Sequence, residues 1–160
     1  MYGNVADLSL NEDSQINFTD GYFSIGQKKR TTKNLLDIAT VSQSSTYSTY
    51  AATNAIDSKT STYSYTTSMA SPWWSADMKQ ENFVTKVKIV PHNYLKSYQV
   101  RIGNDPKWYN NPRCGNQTFT GGVSNVNQTI TCGLSGRYLF VVMPDITSSL
   151  IMYEIEAYEI

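Results

Sequence analysis

Oxygen-bearing side chains meet an apolar anchor in one short segment, Asn54-Ala55-Ile56-Asp57. Ile56 can hold a loop in which Asn54 and Asp57 turn their oxygen atoms toward a common point. Further along, Pro72-Trp73-Trp74 places two tryptophans in succession, and in a strand these point to opposite faces. One indole can then enter the core while the other covers a loop or lines a groove. A rigid, oxygen-rich loop anchored by aromatic residues is more typical of a binding module than of a catalyst.

The residues of common catalytic centres are missing or too few. His92 is the only histidine, which leaves no Ser-His-Asp or Cys-His arrangement and too few ligands for zinc. Glu154 and Glu156 lie on one face of a predicted strand, where Glu156 is best explained as a solvated or structural residue. No glycine-rich phosphate loop is present. We therefore do not expect an enzyme.

Composition narrows the classes of partner. The chain has 160 residues, a formal net charge of zero and 16% charged residues. This length suits one domain with a short extension. The charge balance lacks the basic footprint of a nucleic-acid-binding protein, and no apolar run is long enough to cross a bilayer. Twelve tyrosines dominate the aromatic content, and tyrosine is favoured in strands and at wet interfaces.

Several features point to an oxidising, extracellular compartment. The two cysteines, Cys114 and Cys132, form an even count that permits one disulfide. Three glycosylation sequons begin at Asn17, Asn116 and Asn127. The first residues contain no apolar signal-peptide region, so we interpret the sequence as a mature segment or as a piece of a longer, multidomain chain. The alternative is a cytosolic protein with two free thiols.

The first 33 residues differ from the rest of the chain. Two alternating apolar segments, 15–19 and 22–25, flank Asp20-Gly21, which is a strong hairpin signal. The extension ends near a basic run, Lys28-Lys29-Arg30, which is most simply a solvated linker and alternatively a protease-processing site. We place the domain boundary between residues 1–33 and 34–160.

From residue 34 onward the pattern predicts an all-β domain. Alternating or continuous apolar segments of strand length occur at 83–90, 98–102, 127–132, 137–143 and 150–158. Turn-forming clusters separate them, including residues 133–136, so short strands in a sandwich or barrel are expected. Residues 40–71 are about half serine and threonine, with tyrosines interleaved, and we predict ordered loops there rather than low-complexity disorder.

An ordered series of motifs covers residues 34–158. Its members are Asn34-Leu35, Ala39-Thr40, Gln43-Ser44-Ser45, Asn54-Ala55-Ile56-Asp57, Pro72-Trp73-Trp74 with Asp77, Val100-Arg101-Ile102-Gly103-Asn104, Asn110-Asn111-Pro112 with Cys114, Cys132, Gly136-Arg137-Tyr138 and Tyr153-Glu154-Ile155-Glu156. This series resembles the F-type lectin (fucolectin) family of galactose-binding-like, discoidin-type β-sandwiches. The resemblance implies an eight-stranded jelly-roll β-sandwich whose loops bind sugar at one end, beside a structural calcium ion.

The resemblance also assigns particular residues. It implies a disulfide between Cys114 and Cys132, and calcium held by carbonyl, carboxylate and hydroxyl oxygens. The implied calcium ligands are the carbonyls of Asn54, Lys59 and Tyr153, the carboxylates of Asp57 and Glu154, and the hydroxyl of Ser68, with Thr67 next. A second family disulfide beside this site would have its ends near Met69 and at Tyr153, where this chain has no cysteine.

The sugar pocket departs from the family pattern. The family has a histidine before the Pro-Trp-Trp segment, two arginines and a cysteine pair, and this chain has none of these at the matching positions. His92 stands in place of the first arginine and Lys96 is nearest to the second, although lysine cannot form the bidentate clamp of arginine. An altered pocket would use His92, Lys96, Tyr94 and the neighbouring Tyr65 or Tyr63.

Three functions remain open from the sequence. The first is a secreted, calcium-stabilised module that binds a glycan or glycoprotein through an altered pocket. The second is an adhesion or structural module that has lost sugar binding and contacts protein. The third is a lipid-surface module, for which the exposed apolar candidates are Met69, Tyr94-Leu95 and Trp108-Tyr109. A nucleic-acid or membrane partner is not favoured, whereas an oligomer or a larger parent chain remains compatible with the sequence.

Overall fold

The structure, a computed structural model, describes residues 14–19, 22–27, 32–115 and 126–159. Packing divides the chain into two units, Met1–Thr32 and Lys33–Ile160, whose border lies one residue from the predicted domain boundary. The basic run at 28–30 and the sequon asparagine Asn116 lie outside the described residues, as do the side chains of the first unit. Among the described residues, no helix has the length and apolar character needed to span a bilayer.

The first unit contains the predicted hairpin. Strand β1 (Ser14–Thr19) pairs antiparallel with β2 (Tyr22–Gln27) along their full lengths. Thr19 is opposite Tyr22, so only Asp20-Gly21 separates the two strands. A two-residue connection is the length that an Asp-Gly dipeptide favours.

The second unit is an all-β domain. Three short 3-10 helices, at Leu35–Ile38, Ala52–Ala55 and Trp108–Asn110, are the only helices among its described residues. Eight strands are described, which agrees with the predicted number. They are β3 (Thr40–Gln43), β4 (Ser64–Tyr65), β5 (Met69–Ala70), β6 (Trp73–Pro91), β7 (Gln99–Gly103), β8 (Gln128–Val142), β9 (Thr147–Ser148) and β10 (Ile151–Tyr158).

Long strand β6 organises the sandwich by changing partners along its length. The sheet order is β4-β10-β6-β8-β7, with β3 also paired to β6, and a separate pair joins β5 to β9. The first part of β6 pairs with β3, and its last part pairs with β10. Between them, Lys79 has a left-handed φ of 72° and the register with β8 shifts. Since both parts contribute buried side chains to one core, the strands enclose that core as a galactose-binding-like β-sandwich.

Strand β8 replaces the two predicted strands at 127–132 and 137–143, so the predicted turn at 133–136 is wrong. The chain bends there without leaving the sheet, because Gly133 adopts a φ of 70° that other residues rarely accept. At position 136 glycine is required for a steric reason and not for its backbone conformation. A Cβ at this position would collide with the backbone of Gly103 on β7, so the close approach of β7 and β8 requires glycine.

The adjacent tryptophans divide between core and surface, as predicted. Trp74 is fully buried, and its indole N–H donates to the carbonyl of Ala52 at 3.0 Å. Trp73 points the other way, is half-buried, and meets Phe140 edge-on with 6.1 Å between ring centroids. Trp74 therefore connects the centre of the sheet to the loop segment that precedes Asp57.

One disulfide and one ion pair connect segments near the edge of the sheet. The predicted disulfide between Cys114 and Cys132 is present, with Cys114 fully buried. Arg137 on β8 binds Asp77 on β6 through two parallel hydrogen bonds of 2.8 and 2.9 Å. The guanidinium lowers the pKa of the Asp77 carboxyl to about 2.

Removing the disulfide by the double change Cys114→Ala and Cys132→Ala should destabilise the domain. The cross-link closes a loop with a sequence separation of 18 residues. The chain-entropy model then gives a loss of about 3 kcal/mol in the free energy of unfolding. Urea denaturation of the double variant against the parent protein measures this loss, and coincident unfolding curves would contradict the prediction.

Replacing Asp77 with asparagine should destabilise the domain in a pH-dependent way. A carboxylate whose folded pKa is depressed adds stability above its unfolded pKa and loses that contribution as the pH falls through the folded value. The difference in unfolding free energy between the parent and Asp77→Asn should therefore be greatest near pH 7 and shrink from about pH 4 to about pH 2. Arg137→Gln should show the same trend because it breaks the same contact. A difference that stays constant with pH would refute the assignment.

Candidate functional site

Two acidic side chains meet at one corner of the sandwich. Glu154 comes from β10 and is buried, whereas Asp57 lies in the loop after the 3-10 helix Ala52–Ala55. The backbone N–H of Lys59 donates to Asp57 Oδ1 and to Glu154 Oε1, both at 2.9 Å. Since one donor serves both carboxyl groups, they lie close together although 97 positions separate them in the sequence. We name this group, completed by Thr62, the carboxylate corner.

The electrostatics of the carboxylate corner favour an added cation. Burial and the neighbouring Asp57 raise the pKa of Glu154 to about 7. Desolvation acts to raise the pKa of Asp57, but hydrogen bonds from Thr62, Glu154 and Lys59 outweigh it and lower that pKa. Ionisation of both carboxyl groups is unfavourable because two negative charges would lie side by side. A shared proton or a bound cation between them would relieve this repulsion.

Thr62 supplies a hydroxyl at this corner. Its Oγ1 lies 2.8 and 2.9 Å from the two carboxylate oxygens of Asp57 and 3.1 Å from the carbonyl oxygen of Lys59. Carboxylate, hydroxyl and carbonyl oxygens are the ligands that Ca²⁺ prefers. In the described part of the chain, no group of three or more His, Cys, Asp or Glu side chains gathers for a metal. Because the donors of the carboxylate corner are all oxygen atoms, they fit calcium better than a transition metal.

The structure brings some of the predicted calcium ligands to the carboxylate corner and not others. Asp57, Lys59 and Glu154 meet there, and Tyr153 precedes Glu154 on β10. The side-chain amide of Asn54 donates to the carbonyl of Tyr63 at 3.1 Å, which fixes the same loop.

Ser68 lies in a different depression, and the hydroxyl found beside Asp57 belongs to Thr62. The reason is the register of β4 with β10, in which Ser64 is opposite Met152 and Tyr65 is opposite Ile151. Because these strands are antiparallel, residues before Ser64 approach Glu154 and residues after it move away. Thr67, the second choice, binds Ser45 Oγ through its hydroxyl at 2.8 Å.

The two positions predicted for the missing family disulfide, Met69 and Tyr153, have different neighbours in the structure. Met69 is opposite Ser148 in the β5–β9 pair. The ring that meets Tyr153 belongs to Tyr63, edge-on with 5.7 Å between centroids. An aromatic contact therefore joins this loop to the last strand.

Aromatic rings form a connected group beside the carboxylate corner. Tyr50 stacks on Tyr63, and Tyr47 stacks on Tyr65, each pair with 4.6 Å between centroids. We name this group the tyrosine cluster, and its members are Tyr47, Tyr50, Tyr63, Tyr65, His92, Tyr94 and Tyr153. Sequence reasoning singled out the tyrosines interleaved with serine and threonine, but it did not identify Tyr47, Tyr50 or the Tyr153 ring as part of a site.

His92 connects Tyr94 to the other rings of the tyrosine cluster. Its ring stacks on Tyr94 with 5.4 Å between centroids and lies 5.7 Å from Tyr63 and 5.3 Å from Tyr153. Burial lowers the pKa of His92, and its Nδ1 accepts the backbone N–H of Tyr94 at 3.3 Å. The imidazole is therefore neutral near pH 7 and does not reproduce the charge of the arginine it was predicted to replace.

An open depression of about 300 Å³ borders the tyrosine cluster. We name it the ring-side depression. Three of the predicted ligand-binding residues, Tyr65, Tyr94 and Lys96, line this depression. The fourth, His92, is not part of the lining but stacks on the ring of Tyr94. The residues that line it are Tyr65, Ser68, Tyr94, Lys96, Thr147, Ser148, Ser149 and Ile151. The hydroxyl residues of β9 were missed by sequence reasoning, because only the β5–β9 pairing brings them here.

A second depression of about 230 Å³ adjoins the carboxylate corner and includes Glu154, Glu156 and Lys88 in its lining. The Lys88 ammonium lies 3.9 Å from the Glu156 carboxylate. Asn127, the only sequon asparagine whose side chain is described, is exposed and lines this depression as well. These charges partner one another, which makes this depression the weaker candidate for a ligand site.

The residues predicted for lipid contact are only partly exposed. Leu95 is fully buried in the core, whereas Tyr94 and Tyr109 are 58% and 57% exposed. The guanidinium of Arg101 lies over the ring of Trp108, 5.3 Å from the ring centroid. Leu95 therefore offers no apolar surface to a lipid bilayer.

Comparison with known proteins agrees with this architecture. Residues 54–141, more than half of the chain, match the F5/F8 type C family model described as a NedA-like, galactose-binding domain. The chain therefore belongs to this family of galactose-binding-like domains. A comparison with curated proteins finds no match.

Solved structures that resemble the chain are lectins and binding modules. The fucolectin from striped bass (Morone saxatilis) serum is 26% identical with a TM-score of 0.74, covering 85% of this chain and 50% of that one. The chain thus spans half the length of this fucolectin. The lectin domain of lectinolysin complexed with Lewis B antigen is 23% identical with a TM-score of 0.68, covering 80% of this chain and 97% of that one.

A fucose binding module from Streptococcus pneumoniae is 18% identical with a TM-score of 0.67, covering 89% of this chain and 99% of that one. At this identity the similarity shows the fold alone. The family and these structures confirm the predicted β-sandwich, and the matching family model describes a galactose-binding domain.

Proposed function

We propose that this domain binds a carbohydrate in the ring-side depression, through a pocket that differs from the standard fucose site. The observation that carries the proposal is the Tyr94 ring, 58% exposed and held by stacking on His92 at the edge of that depression. A fixed, exposed ring offers an apolar face at low entropic cost, and a sugar ring has an apolar face to match it.

The polar lining suits sugar hydroxyls. Ser68, Thr147, Ser148 and Ser149 provide hydroxyl groups that both donate and accept, and Lys96 provides donors. A few polar groups beside an aromatic wall are the usual composition of a small-ligand site. The similar structures support the same class of ligand, since they include a fucolectin, a domain complexed with Lewis B antigen and a fucose binding module.

The pocket is altered because its cationic groups differ from those of a fucose site. Lys96 is the only cationic residue in the lining of the ring-side depression. A lysine ammonium is a point charge and cannot form the paired, planar contacts of arginine. His92 is held neutral by burial. We therefore propose a sugar other than fucose as the preferred ligand.

The carboxylate corner is the proposed site of a structural calcium ion. Asp57, Thr62, Lys59 and Glu154 offer oxygen ligands, and a divalent cation would relieve the repulsion between the two carboxyl groups. When bound, calcium would hold the loop after residue 55 against β10. It would act through position and not through chemistry on the ligand.

A disulfide and an exposed sequon are compatible with an extracellular setting for this function. The disulfide between Cys114 and Cys132 is typical of oxidising compartments. The exposed sequon at Asn127 is accessible to glycosylation. We propose a secreted or cell-surface module whose partner is a glycan or glycoprotein.

Adhesion to a protein is the second candidate function. Tyr47 and Tyr94 are 49% and 58% exposed, and tyrosine is frequent at the centres of protein interfaces. In this case the depression would no longer bind sugar, and binding to a glycoprotein partner would survive its deglycosylation.

The Tyr94→Ala variant should lose most of its carbohydrate affinity. A glycan array identifies a binding saccharide, and calorimetry then measures its Kd for the parent and the variant. Loss of the ring face should weaken binding about tenfold, equivalent to ~1.4 kcal/mol. Tyr109→Ala is the matched control, because Tyr109 is 57% exposed and lies outside the depression. A parent protein that binds no glycan, or equal losses in both variants, would overturn the proposal.

Chelation should lower the melting temperature of the parent protein, and added calcium should restore it. Asp57→Ala should abolish this response, whereas the control Asp37→Ala, at an exposed carboxylate elsewhere, should keep it. Thr62→Val should weaken calcium binding measured by calorimetry, and Ser68→Ala should not, because the hydroxyl of Thr62, and not that of Ser68, contacts Asp57. A melting temperature that does not respond to chelator or calcium would exclude the site.

A further inference from the structure

The lining of the ring-side depression has an unbalanced charge. Its side chains are two tyrosines, four hydroxyl residues, one isoleucine and Lys96. None of them is a carboxylate or an amide, so the only full charge in the lining is the positive charge of the Lys96 ammonium. The chain as a whole has a net charge of zero, which makes this local excess a property of the site.

Lys96 has no ionic partner in the part of the chain that the structure describes. The ion pairs there join Lys88 to Glu156 and Arg137 to Asp77. Asp145 is close in sequence to Thr147, but it is not part of the lining of the depression. Lys96 is exposed, so its ammonium is available to a ligand rather than used to hold the fold together.

The available donors and acceptors also favour an acidic ligand. A lysine ammonium offers three donors and no acceptor, and the hydroxyl groups beside it can supply further donors. A site that must orient the donating hydroxyls of a neutral sugar generally needs strong acceptors, which carboxylate and amide side chains would provide. This lining has neither, whereas the carboxylate of an acidic sugar is an acceptor that matches the lysine.

We propose that the ring-side depression selects a carboxylate-bearing saccharide, which pairs its acidic group with Lys96 and packs the apolar face of its ring on Tyr94. This inference rests on the proposed carbohydrate-binding function, and it adds the charge class of the ligand. The two contacts have separate roles. Tyr94 contributes affinity for either kind of sugar, whereas Lys96 contributes the preference between them.

Matched sugars that differ only in their acidic group test the preference. Calorimetry would compare galacturonate with galactose, glucuronate with glucose, and mannuronate with mannose. At low ionic strength, the acidic member of the best-bound pair should bind about fivefold more tightly, as expected for a partly exposed ion pair. This advantage should decline as sodium chloride rises from about 20 mM to about 500 mM.

Charge variants assign the preference to one residue. Lys96→Ala should bring the acidic and neutral members to equal affinity, because it removes the charge that distinguishes them. Lys96→Arg should keep the acidic preference. Lys107→Ala removes an exposed lysine outside the depression and should leave the ratio unchanged. Melting temperatures of all three variants verify that each is folded.

The possible outcomes separate the two proposals. Equal or tighter binding of the neutral sugars by the parent protein overturns the acidic preference and leaves carbohydrate binding intact. A preference for acidic sugars that persists in Lys96→Ala also overturns this inference, because it would place the selecting charge elsewhere. No binding of any acidic or neutral saccharide overturns the carbohydrate function together with this inference.

Discussion

Burial of Trp74 at the centre of the sheet is the contact on which both candidate sites depend. The indole fills the core between the first part of β6 and the loop segment before Asp57, and its N–H satisfies the carbonyl of Ala52. Ala52 begins the short helix that leads to the carboxylate corner. The same loop segment carries Tyr47 and Tyr50, which return to Tyr65 through backbone hydrogen bonds. A long segment with little regular structure is thereby attached to a rigid sheet.

The carboxylate corner and the tyrosine cluster are built from neighbouring residues of the same two segments. Thr62 belongs to the corner and Tyr63 to the cluster, while on β10 Tyr153 belongs to the cluster and Glu154 to the corner. The alternation follows from extended backbone, in which successive side chains point to opposite sides. Whatever fixes the two carboxyl groups in place therefore also limits the positions of the Tyr63 and Tyr153 rings. This arrangement gives a physical basis by which the carboxylate corner orders the neighbouring aromatic surface.

Much of the fold could be predicted because the sequence contains strong local signals. The Asp-Gly dipeptide between alternating segments predicted the hairpin, and alternation predicted β7 and β10 to within a few residues. The prediction failed where long strands bend, as at residues 133–136, because glycine marks a turn and a bulge equally well. At the site, Tyr65, Tyr94 and Lys96 were predicted and do meet. Thr62 and the β9 hydroxyl residues were not, because strand register and not sequence spacing determines their neighbours.

The sequence and the tertiary structure determined different features of this protein. Residue types alone determined the class of protein, since an oxygen-rich loop with an apolar anchor, paired tryptophans and one histidine favour a binding sandwich and exclude common catalytic centres. Only the tertiary structure decided that the hydroxyl beside Asp57 comes from Thr62 and not Ser68, and that seven aromatic rings share one surface. The physical reason is that the sequence directly specifies which side chains are present and how they are spaced along the chain. The convergence of donors depends on antiparallel register, where a shift of a single residue turns a side chain to the opposite face.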